Sequence, residues 1–222
     1  RHVWLNQYNN THIANGGAFV YTNIQNNNTT VNIETPIQHQ NLLSSNCTIS
    51  SLITDRDGKF LGQTTDLPIS LHINESKIIK QKILLSKPRL WSLEDPYLYR
   101  VITTVKSNGK IIDTQNKRFG IRTITINENG LFVNGVYVKI HGVNCHQDHA
   151  GVGSALPDYL QYYRIQLLKD MGVNAYRTSH NAPTPELLDA CDSLGLLVLD
   201  EQRLLNSSPE YIDQFERLIK RD

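Results

Sequence analysis

The sequence predicts an immunoglobulin-like β-sandwich followed by a parallel α/β unit. Three observations carry this. From Asn28 to about Thr125 apolar residues alternate with polar ones at period two; no amphipathic helical stretch interrupts that region; and after about Ile126 strand-like runs begin to alternate with helical ones.

In the first region Val31/Ile33, Ile69/Leu71/Ile73, Ile79/Gln81/Ile83/Leu85 and Tyr99/Val101/Thr103/Val105 mark half-buried strands. Asp57-Gly58 and Asn108-Gly109 supply turn residues that tolerate positive φ, and Pro36, Pro68 and Pro88 are expected between strands. Short strands at regular spacing over about a hundred residues fit an antiparallel sandwich.

In the second region Asn129-Gly130 and Asn134-Gly135 flank Leu131-Phe132-Val133, and Val136–Ile140 is expected to be the first parallel strand. Asp158 and Gln161 suggest a capping box, with Leu160, Tyr163, Leu167, Leu168 and Met171 on one apolar face and Gly172 as the stop. Val173–Tyr176 reads as the next strand. Thr184-Pro185 opens a helix with Leu187, Leu188, Cys191 and Leu194 inward and Gly195 at its end. Leu196–Leu199 is a continuous apolar run suited to a strand covered on both faces. Ser208-Pro209 starts a third helix that should bury Ile212, Phe215 and Ile219. This order is that of a parallel sheet, open or closed.

Composition narrows function by exclusion. Across 222 residues, 39% are hydrophobic, enough for real cores, and the net charge of +1 with mixed signs gives no stripe for nucleic acid. No apolar run reaches membrane-spanning length, and the opening Arg1-His2-Val3-Trp4-Leu5 lacks the layout of a signal peptide, as if internal to a longer protein. Cys47, Cys145 and Cys191 are odd in number and widely spaced, so free thiols are expected, with no disulfide framework and no zinc pattern. A small neutral ligand is the expected partner.

In parallel α/β folds ligands meet the carboxyl ends of the strands. His141–His149, Arg177–Asn181 and Asp200-Glu201 follow the three expected strands, so His, Arg and carboxylate groups should share one rim.

The segment Ile140–His149 resembles the barrel-opening stretch of the family 2 glycoside hydrolases. Asn174–His180 followed by Leu194–Glu201 is similar to that family's most diagnostic signature. Upstream, Lys87–Ser92, Pro96–Tyr99 and Arg118–Arg122 resemble the segments that close its immunoglobulin-like domain, and Arg1–Leu5 the last strand of its leading jelly roll. The resemblance implies a (β/α)8 TIM barrel, of which this chain holds about three βα units. Implied boundaries are 1–25 for the end of the jelly roll and its linker, 26–124 for the sandwich and 125–222 for the barrel start.

It further implies hydrolysis of terminal β-glycosidic bonds by a retaining, exo-acting enzyme without cofactor. His146 and His180 match histidines lining the sugar subsite, Arg177 the arginine that orients the nucleophile, and Asp200 and Glu201 acids on the same rim. Asn181-Ala182-Pro183 departs from the usual Tyr then Pro and alters one wall of the pocket. Some β-galactosidases carry an acid and a histidine for magnesium shortly after the Asp-Glu pair. Here Gln202–Ser207 offers no such ligands, so no metal is expected there.

Both catalytic glutamates of the family belong to later strands, and the chain is therefore expected to lack its own reaction centre. Asp200 and Glu201, as sequence neighbours, should face opposite ways and could not flank one bond. Arg177 is free to pair with either of them. His141 and His149 are expected to be loop residues, and Trp91 to pack. A cysteine hydrolase built on Cys145, His146 and Asp148 lacks an oxyanion nest. The alternative to the enzyme reading is a carbohydrate-binding or protein-interaction module. Three barrel units would leave strand edges bare and invite self-association, or partial disorder after about Leu205.

Overall fold

The computed structural model describes residues 2–25, 28–203 and 206–222. The expected boundary at 26 and the segment around Leu205 thus touch positions outside the described residues. Two compact units emerge: one of Trp4–Arg89 with Leu98–Ile121, the other of residues 2–3, Leu90–Tyr97 and Arg122–Asp222.

The first unit is an antiparallel sandwich. In one sheet β3 (Asn28–His39) pairs with β1 (Thr11–Ile13) and β2 (Phe19–Gln25) along one edge and with β7 (Ser76–Ser86) along the other. In the second, β4 (Ser45–Thr54) pairs with β5 (Phe60–Gln63) and β6 (Leu67–Leu71) on one side and β8 (Leu98–Ser107) on the other, and β9 (Lys110–Gly120) follows β8. Strand pairing therefore extends toward the N-terminus as far as Thr11. His2–Asn9 forms no strand, and Val3, Trp4 and Leu5 are exposed.

Alternation does what the sequence required of it: Val31, Ile33, Ile79, Ile83, Leu85, Val101 and Val105 are all buried. Ile73 departs, lying exposed in the turn before β7. Gln81 and Thr103 occupy inward positions without orphaned groups. The Ser51 hydroxyl lies 2.9 Å from Gln81 Oε1 and 2.8 Å from Thr103 Oγ1, and Gln81 Nε2 donates to Thr64 Oγ1 at 2.8 Å. Pro36 and Pro68 correct the expectation for proline, since both lie within strands. Pro36 directs its missing N–H away from β7, to the edge where β1 ends, and there its carbonyl accepts from Ala14 N at 2.8 Å; Pro68 sits in the short edge strand β6.

The second unit begins with a meander of β10 (Ile124–Asn127), β11 (Gly130–Val133) and β12 (Val136–Val138). Asn134 and Gly135, with φ of 52° and 78°, make the tight turn between β11 and β12. Val136–Val138 is thus an antiparallel strand, and the first parallel strand is β13 (Gly142–Cys145). It is followed by α1 (Asp158–Asp170), β14 (Ala175–Thr178), α2 (Pro185–Leu194), β15 (Leu197–Leu199) and α3 (Pro209–Arg221).

The helices correct the expected faces. α1 has no capping box, since Pro157 is its N-cap, and it buries Gln161 and Ile165 while Tyr163, Leu167 and Met171 are exposed. α2 agrees better, with Thr184 at the cap, Pro185 in the first turn, and Leu187 and Cys191 buried. α3 starts at Ser208, whose hydroxyl accepts from Tyr211 N, but Ile212, Phe215 and Ile219 are exposed because no described element packs on them. Likewise β15 is covered at Leu197 but not at Leu199. The α/β core is Ile165, Val173, Tyr176, Leu187, Ala190, Cys191 and Leu196.

The segment 90–97 is tied to this core. Trp91 is buried, its Nε1 donates to Asp192 O at 2.8 Å, and Arg122 lies 4.8 Å from the ring centroid. Lys169 Nζ donates to the carbonyls of Leu93 and Gly195 at 2.7 and 2.9 Å, and burial lowers its pKa. Gly195 ends α2 in the left-handed conformation at φ 77°, and a Cβ there would lie 2.3 Å from Leu93 O. Gly195→Ala should therefore lower stability by at least about 1 kcal/mol in denaturant titration. An unchanged midpoint would show that segment 90–97 yields freely.

Candidate sugar-binding rim

The parallel register decides which side chains meet. Cys145 pairs with Thr178 and Arg177 with Leu199, so the carboxyl ends of β13, β14 and β15 lie side by side. Correcting the first strand moves His141 to its entry and sets His146 directly after its carboxyl end.

Glu201 is the centre of the cluster. Its Oε2 is 2.9 Å from Arg177 Nη2 and its Oε1 is 2.9 Å from His180 Nδ1. The carboxylate is thus gripped from two sides, and Arg177 pairs with Glu201 rather than with Asp200. His180 and His146 stand edge to face, with ring centroids 5.4 Å apart and an interplanar angle of 82°. Both histidines are exposed, whereas only 22% of the Glu201 side chain is. With Nδ1 engaged by Glu201, His180 keeps Nε2 for a ligand.

Asp200 takes a different environment. Like Glu201 it lies just beyond β15 and not within the strand. Its Oδ1 accepts from the Thr178 hydroxyl at 3.3 Å and from the Glu201 backbone N–H at 2.8 Å. Desolvation raises its pKa to about 6, helped by the neighbouring Asp222 carboxyl.

Asn181 is set apart from this group. It lines a cavity of about 530 Å³ together with Gln202, Arg203 and residues of α3 such as Tyr211 and Leu218, which includes none of His146, Arg177, His180 or Glu201. Gln202 and Arg203 bring an amide and a guanidinium to this cavity. Leu204 and Leu205 of that stretch lie outside the described residues.

Three supporting residues escaped the sequence reading. Thr178 bridges Asp200 and the backbone N–H of Glu201, the latter at 3.0 Å. Gln147 Nε2 donates to the carbonyls of Asn181 and Ala182 at 3.2 and 2.5 Å, and Arg164 Nη2 donates to His146 O at 3.0 Å. Thr178 and Gln147 stood inside the motifs, but only the fold shows what they hold. Arg164 lay in a helix and gave no signal.

Residues 11–122 match the model for glycosyl hydrolases family 2, and residues 124–216 match the TIM barrel domain of the same family. The chain belongs to glycosyl hydrolase family 2. A β-galactosidase from Bacteroides ovatus is 31% identical over the whole chain, which covers 27% of that protein, and one from Thermoanaerobacter pseudethanolicus is 34% identical over 90% of the chain and 26% of the relative. A family 2 crystal structure from Bacteroides cellulosilyticus superposes with a TM-score of 0.88 at 29% identity, over 97% of this chain and 30% of that one. The chain therefore spans between a quarter and a third of these relatives, and its fold is the family's immunoglobulin-like domain followed by the start of the barrel. Among the described residues no helix is long and apolar enough to cross a membrane.

Asp200 gives the rim a pH signature. An acid whose folded pKa is raised from 3.8 to about 6 holds its proton better when folded, so its contribution to stability is full below about pH 4 and is lost as pH rises toward 6. Asp200→Asn should flatten that part of a Tm-versus-pH curve. An equally steep fall in the variant would assign it to other groups.

Proposed function

We propose that the chain is the substrate-gripping part of a retaining exo-glycosidase that hydrolyses terminal β-glycosidic bonds of carbohydrates. The supporting observation is the Arg177–Glu201–His180 fork beside His146, at the carboxyl ends of three parallel strands. A pyranose presents hydroxyls that both donate and accept. The rim answers with imidazole and guanidinium donors and carboxylate acceptors on rigid strand ends, which bind such an edge with little reorganisation.

Chemistry needs two carboxyl groups about 5 Å apart across the scissile bond, one donating a proton and one attacking the anomeric carbon. Glu201 is held between Arg177 and His180, and Asp200 rests on Thr178 and its own backbone, so neither fills these roles. The acid and the nucleophile come from other strands of the protein. The remaining guanidinium donors of Arg177 then orient the nucleophile.

In the protein that contains these residues, Arg177→Met should lower kcat/KM on nitrophenyl β-galactoside or β-glucuronide by roughly 10²–10³, the scale of one lost transition-state donor. The 222 residues alone should release no nitrophenol. Full activity in the variant, or turnover by the purified chain that survives stringent purification, would sink the proposal.

Among the described residues β13 and β15 each have one unpaired edge, and the apolar side of α3 is exposed. The isolated chain should therefore self-associate. Sedimentation velocity giving a monomer at tens of micromolar would contradict this.

A further inference from the structure

Away from the rim, the N-terminal ends of α1 and α2 converge on a second cluster. Asp158 begins α1, Glu186 lies in the first turn of α2, and His2 approaches from the N-terminal segment, placing one ligand atom from each within 4.8 Å of the others. His2 Nε2 is 2.7 Å from Asp158 Oδ1. These residues share a cavity of about 20 Å³ with Gln147, Ser154, Gln161 and Thr184. Such a volume holds one ion or one water and no organic ligand.

Acids at helix N-termini complement the helix dipole and need no ion. Gln161 adds what that account leaves out. It is only 6% exposed, lines the same cavity, and its Oε1 has no hydrogen-bond partner. Thr184 Oγ1 is also buried and unpartnered, although an N-cap hydroxyl ordinarily accepts a helix N–H. Two orphaned oxygens thus line the same small cavity as an imidazole and two carboxylates, and a cation there would satisfy acceptors that otherwise lack a donor.

We propose that His2, Asp158, Glu186 and Gln161 bind one divalent metal ion. One imidazole nitrogen among carboxylate and amide oxygens suits an ion of borderline character, the class of Zn²⁺ and Mn²⁺. At bonds of about 2.0–2.2 Å, neighbouring ligand atoms on such an ion lie roughly 3.3 Å apart. His2 and Asp158 need only separate by less than about 1 Å to admit it. The ion would fasten the N-terminal segment to the starts of two helices.

The test is metal retention by the 222-residue chain, stripped with chelator and dialysed against micromolar Zn²⁺ at neutral pH, with metal measured by atomic emission. Wild type should hold one equivalent sensitive to D158N/E186Q. His2→Ala should weaken Zn²⁺ binding on the order of tenfold or more. It lies in a segment without regular structure, so this loss cannot be ascribed to misfolding. His180→Ala controls for the rim, where imidazoles and a carboxylate also meet, and should keep the equivalent. Zn²⁺ should raise the Tm of wild type and not of D158N/E186Q. The site is refuted if wild type holds no zinc, if D158N/E186Q retains it, or if His180→Ala removes it.

Discussion

Parallel pairing of β13, β14 and β15 is the constraint on which the rim depends. A parallel ladder fixes where each strand ends relative to its neighbour, and here Cys145 lies against Thr178 and Arg177 against Leu199. Residues that follow these ends have no choice but to share one side of the sheet. His146, Arg177, His180, Asp200 and Glu201 come from three separate stretches, yet the register alone brings them to one level. The helices hold that register from behind. Ile165 of α1 and Leu187 and Cys191 of α2 bury against Tyr176 and Leu196, and about 25 cal/mol per Å² of apolar area is gained by doing so.

Given that placement, electrostatics sorts the two neighbouring acids. Glu201 faces a guanidinium and an imidazole, Asp200 a hydroxyl, a backbone N–H and another carboxyl. Thr178 separates them, since its one hydroxyl lies within hydrogen-bonding distance of both the Asp200 carboxylate and the Glu201 amide. A residue without a hydroxyl at 178 would leave the Asp-Glu pair to find its own geometry.

The sequence revealed most where one physical signal acted alone. Period two located Val31, Ile33, Val101 and Val105 in the sandwich because half-buried strands have no other way to bury one face. Gly195 and Thr184-Pro185 bounded α2 because left-handed stops and first-turn prolines are local matters. Errors arose where tertiary context competed. Val136–Val138 has strand composition in either sheet, and only pairing assigns it to the meander. On α1 the apolar residues Tyr163, Leu167 and Met171 are exposed while Gln161 is buried, an inversion that hydrophobicity cannot foresee. The rim residues were legible through their motif and strand ends. The His2, Asp158 and Glu186 grouping was not, because nothing in a sequence joins positions so far apart.

The exposed side of α3 carries the same logic one step further. Its residues Ile212, Phe215 and Ile219 recur at helical spacing, so the sequence encodes a buried face, and the described residues provide nothing to bury it. The unpaired edges of β13 and β15 make the same demand of backbone hydrogen bonds. In a closed barrel each edge finds a strand and each helix a neighbour. The solved family 2 protein, of which this chain covers 30%, is long enough to supply them. At the polar rim, by contrast, Glu201 already has charged partners in Arg177 and His180. Folding demand and polar chemistry thus fall on different parts of one unit: unpaired strand edges and the apolar side of α3 on one hand, the charged groups at the strand ends on the other.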